Sequence, residues 1–294
     1  MLNMDVTVLR DMLLYIAYTL GSALLLGLAP ACMRTGVRRS DPSLGATLFG
    51  VIVALGAWAI VLAGGAPALP AGKTLALLVV AGVLTALLWL CLFTALTGGL
   101  SSKVMPVVNL AILPAMIVAR FSAGQELSLW RLCAVVIVLL GTVMIESRTK
   151  SLRGQLWLLY AVAAMLFSTG LQIFRASALD MVETPLYNAF RCGVAAVLVC
   201  IFAICRGKFR LLGAMPSRFW VALPIAALAV GVSWFLSGRA AGLGDWSTLR
   251  PLSIFSFFAM MLFSRIIQRE RQPGSAIFGT ILVLFGMFVM ESGW

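Results

Sequence analysis

Two arginines lie inside long apolar segments, where a charged side chain is costly and therefore informative. Of the 22 Lys and Arg residues in the 294-residue chain, Arg191 and Arg250 are the two that no connector between such segments contains. An arginine facing lipid near the bilayer centre costs about 2.5–3.5 kcal/mol on insertion scales, so both side chains should face the protein interior or reach an interface. Because a guanidinium group matches the geometry of carboxylate and phosphate, both are candidates for binding an anionic group. Ion pairs with Asp245 or Glu183, or bonds to carbonyls at helix ends, are the structural alternatives.

Groups that could titrate inside the membrane are missing from the sequence. All ten acidic residues lie near the ends of apolar segments, and there is no His. Since proton-driven carriers usually titrate a buried carboxylate or imidazole, obvious groups for proton coupling are absent. Asp245, one turn before Arg250, is the nearest candidate, but it is better explained as a helix N-cap. Without paired mid-segment carboxylates or a metal-ligand cluster, we expect no enzymatic activity, no cofactor and no metal.

Prolines and aromatic residues at matching places suggest a central pathway. Pro106 and Pro251 fall near the start of two corresponding segments, and a proline inside a helix frees a backbone carbonyl that can bind substrate or mark a hinge. A plain packing kink is the alternative. Trp89 and Trp234 lie deep in their segments rather than at the interface where Trp is typical, so they either line a cavity or pack in the interior. Weaker cavity candidates are Tyr15, Tyr160, Asn109, Tyr187 and Asn188.

Ten apolar segments, each long enough to cross a bilayer, contain these residues. Hydrophobic residues make up 62% and charged residues 11% of the chain, against roughly 45–50% and 25% in soluble domains, and the mean hydropathy is +1.06. The segments are continuous rather than alternating, which predicts an all-α integral membrane protein and not a β-barrel. We place them at 12–33, 43–63, 74–97, 102–121, 127–147, 154–175, 184–205, 217–238, 246–267 and 273–291.

The chain repeats itself without a gap at an offset of 145 residues. Identical residues recur at this offset, including the pairs Trp89 and Trp234, Gly99 and Gly244, Pro106 and Pro251, Arg120 and Arg265, Gly141 and Gly286, and Glu146 and Glu291. Five segments precede the connector Arg148–Arg153 and five follow it. Because five is odd, residues 148–294 should form a second repeat inverted in the membrane relative to residues 1–147. Inverted repeats are typical of secondary transporters, whose substrate site lies near the bilayer midplane.

The distribution of basic residues predicts the orientation. Fourteen lie in the five connectors on one side of the membrane and six on the other side. The positive-inside rule therefore places both termini outside the cytoplasm. The net charge of +12 is explained by these connectors facing anionic lipid. We expect membrane lipids and a small-molecule substrate as partners, no nucleic acid, and a monomer in the bacterial inner membrane.

Short motifs in both halves resemble the EamA-type pattern of the drug/metabolite transporter superfamily. They are Ala95-x3-Gly99-x2-Ser102-x3-Pro106, Gln125-Glu126-Leu127-Ser128 and Leu139-x-Gly141 in the first half, and Gly244-Asp245-x-Ser247-x3-Pro251 with Gly286 in the second. The resemblance implies ten helices, with a central cavity built from helices 1, 3, 4, 6, 8 and 9, gating by helices 2 and 7, and buttressing by 5 and 10. It also implies cytoplasmic termini, which the charge distribution of this chain opposes. The second half shows Glu270-Arg271-Gln272-Pro273 in place of the Glu-x-Ser element.

These observations predict a secondary transporter that moves an amino acid or a similar organic solute, including an anionic one, by alternating access. We expect an exporter or an exchanger. In this hypothesis Arg250 contacts the substrate, Pro251 shapes the backbone beside it, and Trp234 forms part of the wall. The alternative is a lipid or lipid-phosphate translocase, or a flippase subunit, because interior arginines would also suit a phosphate headgroup.

Overall fold

The computed structural model describes residues 6–65, 70–111, 114–115, 118, 133–134, 136–138, 140–141, 156–179, 181–243, 255–269 and 274–291. Regular secondary structure within these ranges is helical, as the continuous apolar segments predict. The helices are α1 (Val6–Val37), α2 (Pro42–Ala63), α3 (Lys73–Gly98), α4 (Ser101–Asn109), α5 (Leu156–Leu179), α6 (Thr184–Cys205), α7 (Ser217–Ala241), α8 (Phe255–Gln268) and α9 (Gly274–Glu291), with a 3-10 helix at Lys208–Ala214.

Six of these helices are long and apolar enough to cross a membrane. They are α1, α2, α3, α5, α6 and α7, while α8 is a shorter apolar helix. The all-α membrane architecture is thereby confirmed for these six predicted segments. Much of the predicted segments 102–121, 127–147 and 246–267 lies outside the described residues, so the count of ten stays a prediction.

The predicted segment 102–121 is interrupted shortly after Pro106. The helix α4 continues past this proline and ends at Asn109, and a turn at residues 110–111 precedes helical residues at 114–115. Because Pro114 has no N–H, the carbonyl four residues earlier loses its usual helical partner. Thr169 on α5 donates a hydrogen bond to the carbonyl oxygen of Ala111 at 3.1 Å. The carbonyl of Ala111 also accepts a hydrogen bond from the Ala115 N–H at 3.3 Å, so Thr169 joins α5 to the segment beside the turn and does not replace the bond that Pro114 removes.

The helices pack in pairs that match the 145-residue offset. The helix α1 packs along α7, α3 packs along α5, and α2 packs along α6. At that offset α5 corresponds to α1, α6 to α2, and α7 to α3. Replacing each helix by its repeat equivalent therefore converts the α1–α7 pair into the α5–α3 pair. The same replacement leaves the α2–α6 pair unchanged.

Two equivalent glycines allow the last helices of the two halves to approach closely. A Cβ atom added at Gly141 would lie 2.5 Å from a backbone carbonyl oxygen and 2.9 Å from Val283 on α9. A Cβ atom added at Gly286 would lie 2.6 Å from Val138 and 2.9 Å from a backbone carbonyl oxygen. The contact is reciprocal: Gly141 meets Val283, Gly286 meets Val138, and these two valines correspond to each other at the 145-residue offset.

We expect Gly141→Ala and Gly286→Ala each to lower the thermal unfolding temperature of the detergent-solubilised protein. Overpacking of this kind costs about 1–3 kcal/mol. Gly56→Ala on α2 is the matched control, because its added Cβ meets nothing within 4 Å, and alanine is the better helix former by roughly 1 kcal/mol. Equal unfolding temperatures for all three variants would contradict the close approach.

Two basic connectors meet at one end of the bundle, which we name the basic end (residues 34–42 and 206–216). Asp41 caps α2 by accepting a hydrogen bond from the Ser43 backbone N–H at 2.9 Å, and its carboxylate pairs with Lys208 Nζ at 2.9 Å. Burial alone would raise the pKa of Asp41, but hydrogen bonds from Ser43 and Lys208 lower it below its usual value. The carboxylate is therefore charged at neutral pH, when it can hold the two connectors together.

Candidate functional site

An open cavity of about 970 Å³ lies among α2, α3, α5, α6 and α7, at the end of the bundle opposite the basic end. The C-terminal turns of α5 and α7 and the first turns of α6 form most of its wall. Its volume suits a small organic molecule. The charged and polar residues that line it are Ser168, Gln172, Arg175, Glu183, Thr184, Tyr187, Asn188, Arg191, Ser237 and Arg239.

The guanidinium group of Arg191 is held in this cavity by three neighbours. Its central carbon lies 4.9 Å from the ring centroid of Trp234 on α7 and 5.6 Å from that of Tyr187. Its Nε donates a hydrogen bond to Asn188 Oδ1 at 3.0 Å. Tyr187 and Asn188 precede Arg191 by four and three residues on α6, so helical spacing places all three on one face. Cation–π contacts and the hydrogen bond together fix the orientation of the charge.

No described residue bonds to the terminal nitrogens of Arg191. An arginine has five N–H donors, and the bond to Asn188 uses the one on Nε. Among the described residues no carboxylate lies within ion-pair distance of Arg191, and Glu183 lines the cavity without pairing with it. The ion pair with Glu183 that the sequence left open as an alternative is therefore not formed. The arrangement leaves a guanidinium fork of the kind that binds carboxylate or phosphate.

Two more arginines make the cavity electropositive. Arg175 on α5 and Arg239 on α7 are exposed and line the same space, whereas Glu183 is the acidic residue in the described lining. Clefts lined by charges of one sign focus the electric field and raise the local concentration of oppositely charged solutes. The cavity should therefore attract anions and repel cations.

At the basic end, four polar side chains join α1, α4 and α8; we name them the closing cluster (Arg34, Ser101, Ser264 and Gln268). The Nη1 atom of Arg34 donates to Gln268 Oε1 at 2.6 Å, and Gln268 Nε2 donates to the Ala31 carbonyl oxygen at 2.8 Å. The hydroxyls of Ser101 and Ser264 are hydrogen-bonded at 2.8 Å. Arg34 is only 8% exposed. The cluster holds these helices together at the end that faces away from the cavity.

Comparison with known proteins gives a family match for the first half of the chain. Residues 13–147 match the EamA-like transporter family. A curated relative from Sinorhizobium sp., described as an uncharacterized transporter in the cobO 3' region, is 23% identical over 118 residues, which make up 40% of this chain and 84% of the relative. The family match and the relative together support a membrane transporter.

A solved crystal structure has the same overall fold. It aligns with 94% of this chain and 97% of its own chain, with a TM-score of 0.63 and 20% sequence identity. At this identity the likeness concerns the fold alone. The arrangement of helices around the cavity is thus one that another protein chain also adopts.

Four of the residues singled out from the sequence line the cavity. Arg191 and Trp234 were primary candidates, and Tyr187 and Asn188 were weak ones. Sequence reasoning did not single out Gln172 and Arg175 on α5. The sequence signal for them is two polar residues three positions apart, which share one face of a helix near the end of an apolar segment.

The other predicted site residues lie elsewhere in the described structure or outside it. Trp89 is buried in the core, where its ring meets that of Phe49 edge-on with centroids 5.5 Å apart. The remaining described candidates do not line this cavity: Tyr15 is buried on α1, Tyr160 is 40% exposed on α5, Asn109 is half-buried at the end of α4, and Pro106 is buried within α4. Arg250, Pro251 and Asp245 lie outside the described residues, so their roles stay predictions.

Proposed function

We propose that this EamA-type transporter is a secondary transporter of a small organic anion, which it exports or exchanges across the cell membrane. The observation that carries the proposal is the guanidinium group of Arg191 in the cavity, oriented by Trp234, Tyr187 and Asn188, with no described residue bonded to its terminal donors. A carboxylate or phosphate on an amino acid or a similar solute would bind there through two parallel hydrogen bonds. Arg191 thereby takes the anchoring role that the sequence suggested first for Arg250.

Alternating access is supported by the contrast between the two ends of the bundle. The cavity opens at the end formed by the C-terminal turns of α5 and α7. The closing cluster ties α1, α4 and α8 together at the basic end. In this mechanism the substrate enters from the open end, the closing cluster separates, and the cavity closes behind the substrate. Each state then exposes the arginine site to one side of the membrane.

The full architecture in this proposal has ten helices in two inverted repeats, residues 1–147 and 148–294. Two observations support it. The α1–α7 and α3–α5 packing pairs are images of each other at the repeat offset. The reciprocal contacts of Gly141 and Gly286 obey the same relation.

The basic end faces the cytoplasm in this proposal, and both termini lie outside. The support is the excess of basic residues in the connectors of that end, which the positive-inside rule places in the cytoplasm. In the bacterial inner membrane the cavity described here would then open outward. An Arg38→Cys variant should resist an impermeant thiol reagent added to intact cells, and labelling from outside would contradict the orientation.

Counterflow in proteoliposomes tests the proposed function. Vesicles containing the purified full chain are loaded with an unlabelled organic anion and diluted into the same compound in radiolabelled form. We expect saturable accumulation of anionic solutes above that in protein-free vesicles, and none of a cation of similar size. Absence of counterflow for amino acids, dicarboxylates and phosphate esters would overturn the proposal. Movement of a fluorescent phospholipid between leaflets, without solute counterflow, would instead support the lipid translocase.

A further inference from the structure

We propose that the transported anion carries two negatively charged groups, of which Arg191 binds one and Arg175 binds the other. This inference rests on the proposed function, because it names the substrate class of the same cavity. The class is a dianionic organic solute, whose second group is either a carboxylate or a phosphate. A single anionic group would use only one of the two sites.

The two arginines share one region of the cavity although they belong to different helices. Arg191 contacts the Tyr187 ring on α6, while Arg175 lies near the C-terminal end of α5. Both arginines line the same cavity, together with Tyr187. Gln172 lies one helical turn before Arg175, lines the same cavity wall and adds an amide group to it. Two cationic groups therefore face a common space.

The charge of the lining favours a dianion over a monoanion. Among the described lining residues there are three arginines and one carboxylate, so within this set Glu183 can compensate one positive charge and two remain. A solute with two anionic groups offsets both, whereas a monoanion leaves one guanidinium charge without a partner. In a cleft with low-dielectric walls such interactions are stronger than in bulk water.

Uptake of matched probes by proteoliposomes of the full chain tests the inference. Succinate and monomethyl succinate differ by one negative charge, and glycerol 3-phosphate distinguishes a phosphate from a second carboxylate. For the wild-type protein we expect at least about tenfold preference in kcat/KM for one of the dianions over the monomethyl ester. Arg175→Gln should reduce this preference to near unity by slowing dianion uptake, and Arg175→Lys should retain part of it, because Lys keeps the charge but loses the fork.

Arg218→Gln is the matched control, since Arg218 is exposed near the basic end, away from the cavity. It should keep the wild-type preference, and thermal unfolding should show that Arg175→Gln remains folded. Equal uptake of monomethyl succinate and the dianions by wild-type protein would overturn the inference while leaving the proposed function intact. An unchanged preference in Arg175→Gln would also overturn it. Failure to transport any organic anion would overturn both.

Discussion

Arg191→Ala is expected to lower kcat/KM for organic-anion uptake by about a hundredfold or more, with Arg191→Lys retaining part of the activity. Removing a charged partner from a bidentate, partly buried contact typically costs several kcal/mol of binding free energy, and each 1.4 kcal/mol corresponds to a factor of ten. Lys keeps the positive charge but cannot make two parallel hydrogen bonds to a carboxylate. Radiolabelled counterflow in proteoliposomes measures the effect, with the amount of reconstituted protein determined in each sample.

The controls for Arg191 separate a binding role from a folding role. Arg191→Ala also removes the contacts with Trp234 and Tyr187, so its unfolding temperature must be compared with that of the wild type. A folded variant that has lost uptake supports the binding role. Wild-type uptake with unchanged KM in Arg191→Ala would remove Arg191 from the site. Arg250→Ala in the same assay would then test the residue that the sequence favoured.

Residue type and depth single out Arg191 and Trp234 in the sequence, and both line the cavity in the structure. A charge and an indole far from the interface are costly or unusual in a membrane helix, so each indicates a cavity without any knowledge of the fold. The structure adds the contact between them, which joins α6 to α7 across the cavity. No sequence rule predicts that pairing, because it depends on how helices from distant parts of the chain pack.

The observed helix pairs obey the 145-residue offset, but the environments of equivalent residues differ. Trp89 and Trp234 correspond at the 145-residue offset, yet only Trp234 lines the cavity. A Cβ atom at Gly50 would lie 2.7 Å from the Trp89 ring, so the ring needs a glycine there to pack against α2. At the equivalent position the second half has Ala195. The methyl group of this alanine would obstruct a ring packed against α6 in the way that Trp89 packs against Gly50.

The closing cluster could not be predicted from the sequence. Arg34 was counted among the basic residues of a connector, although it belongs to the last turn of α1 and is buried. Its partner Gln268 lies 234 residues further along the chain, and the two serines that meet beside it are 163 residues apart. Polar residues of common types at such separations carry no local pattern. Only the packing of α1, α4 and α8 brings them together.

A disulfide across the closing cluster is expected to abolish transport reversibly. The Ser101 and Ser264 hydroxyls lie 2.8 Å apart, so cysteines at both positions should come within the separation that a disulfide requires. Oxidation of the double variant Ser101→Cys/Ser264→Cys would join α4 to α8 and hold the basic end closed. If the closing cluster must separate for the substrate to leave, oxidation should reduce counterflow to the level of protein-free vesicles, and a reducing agent should restore it.

Substrate binding distinguishes a locked transporter from a damaged one. Because the cavity opens at the other end, the oxidised double variant should still bind the anion, detected as an increase in unfolding temperature on adding substrate. The single variants Ser101→Cys and Ser264→Cys, treated with the same oxidant, control for the six native cysteines, which are free. Full transport by a completely cross-linked protein would show that α4 and α8 need not separate. The basic end would then not be the gate, and alternating access would require a different moving contact.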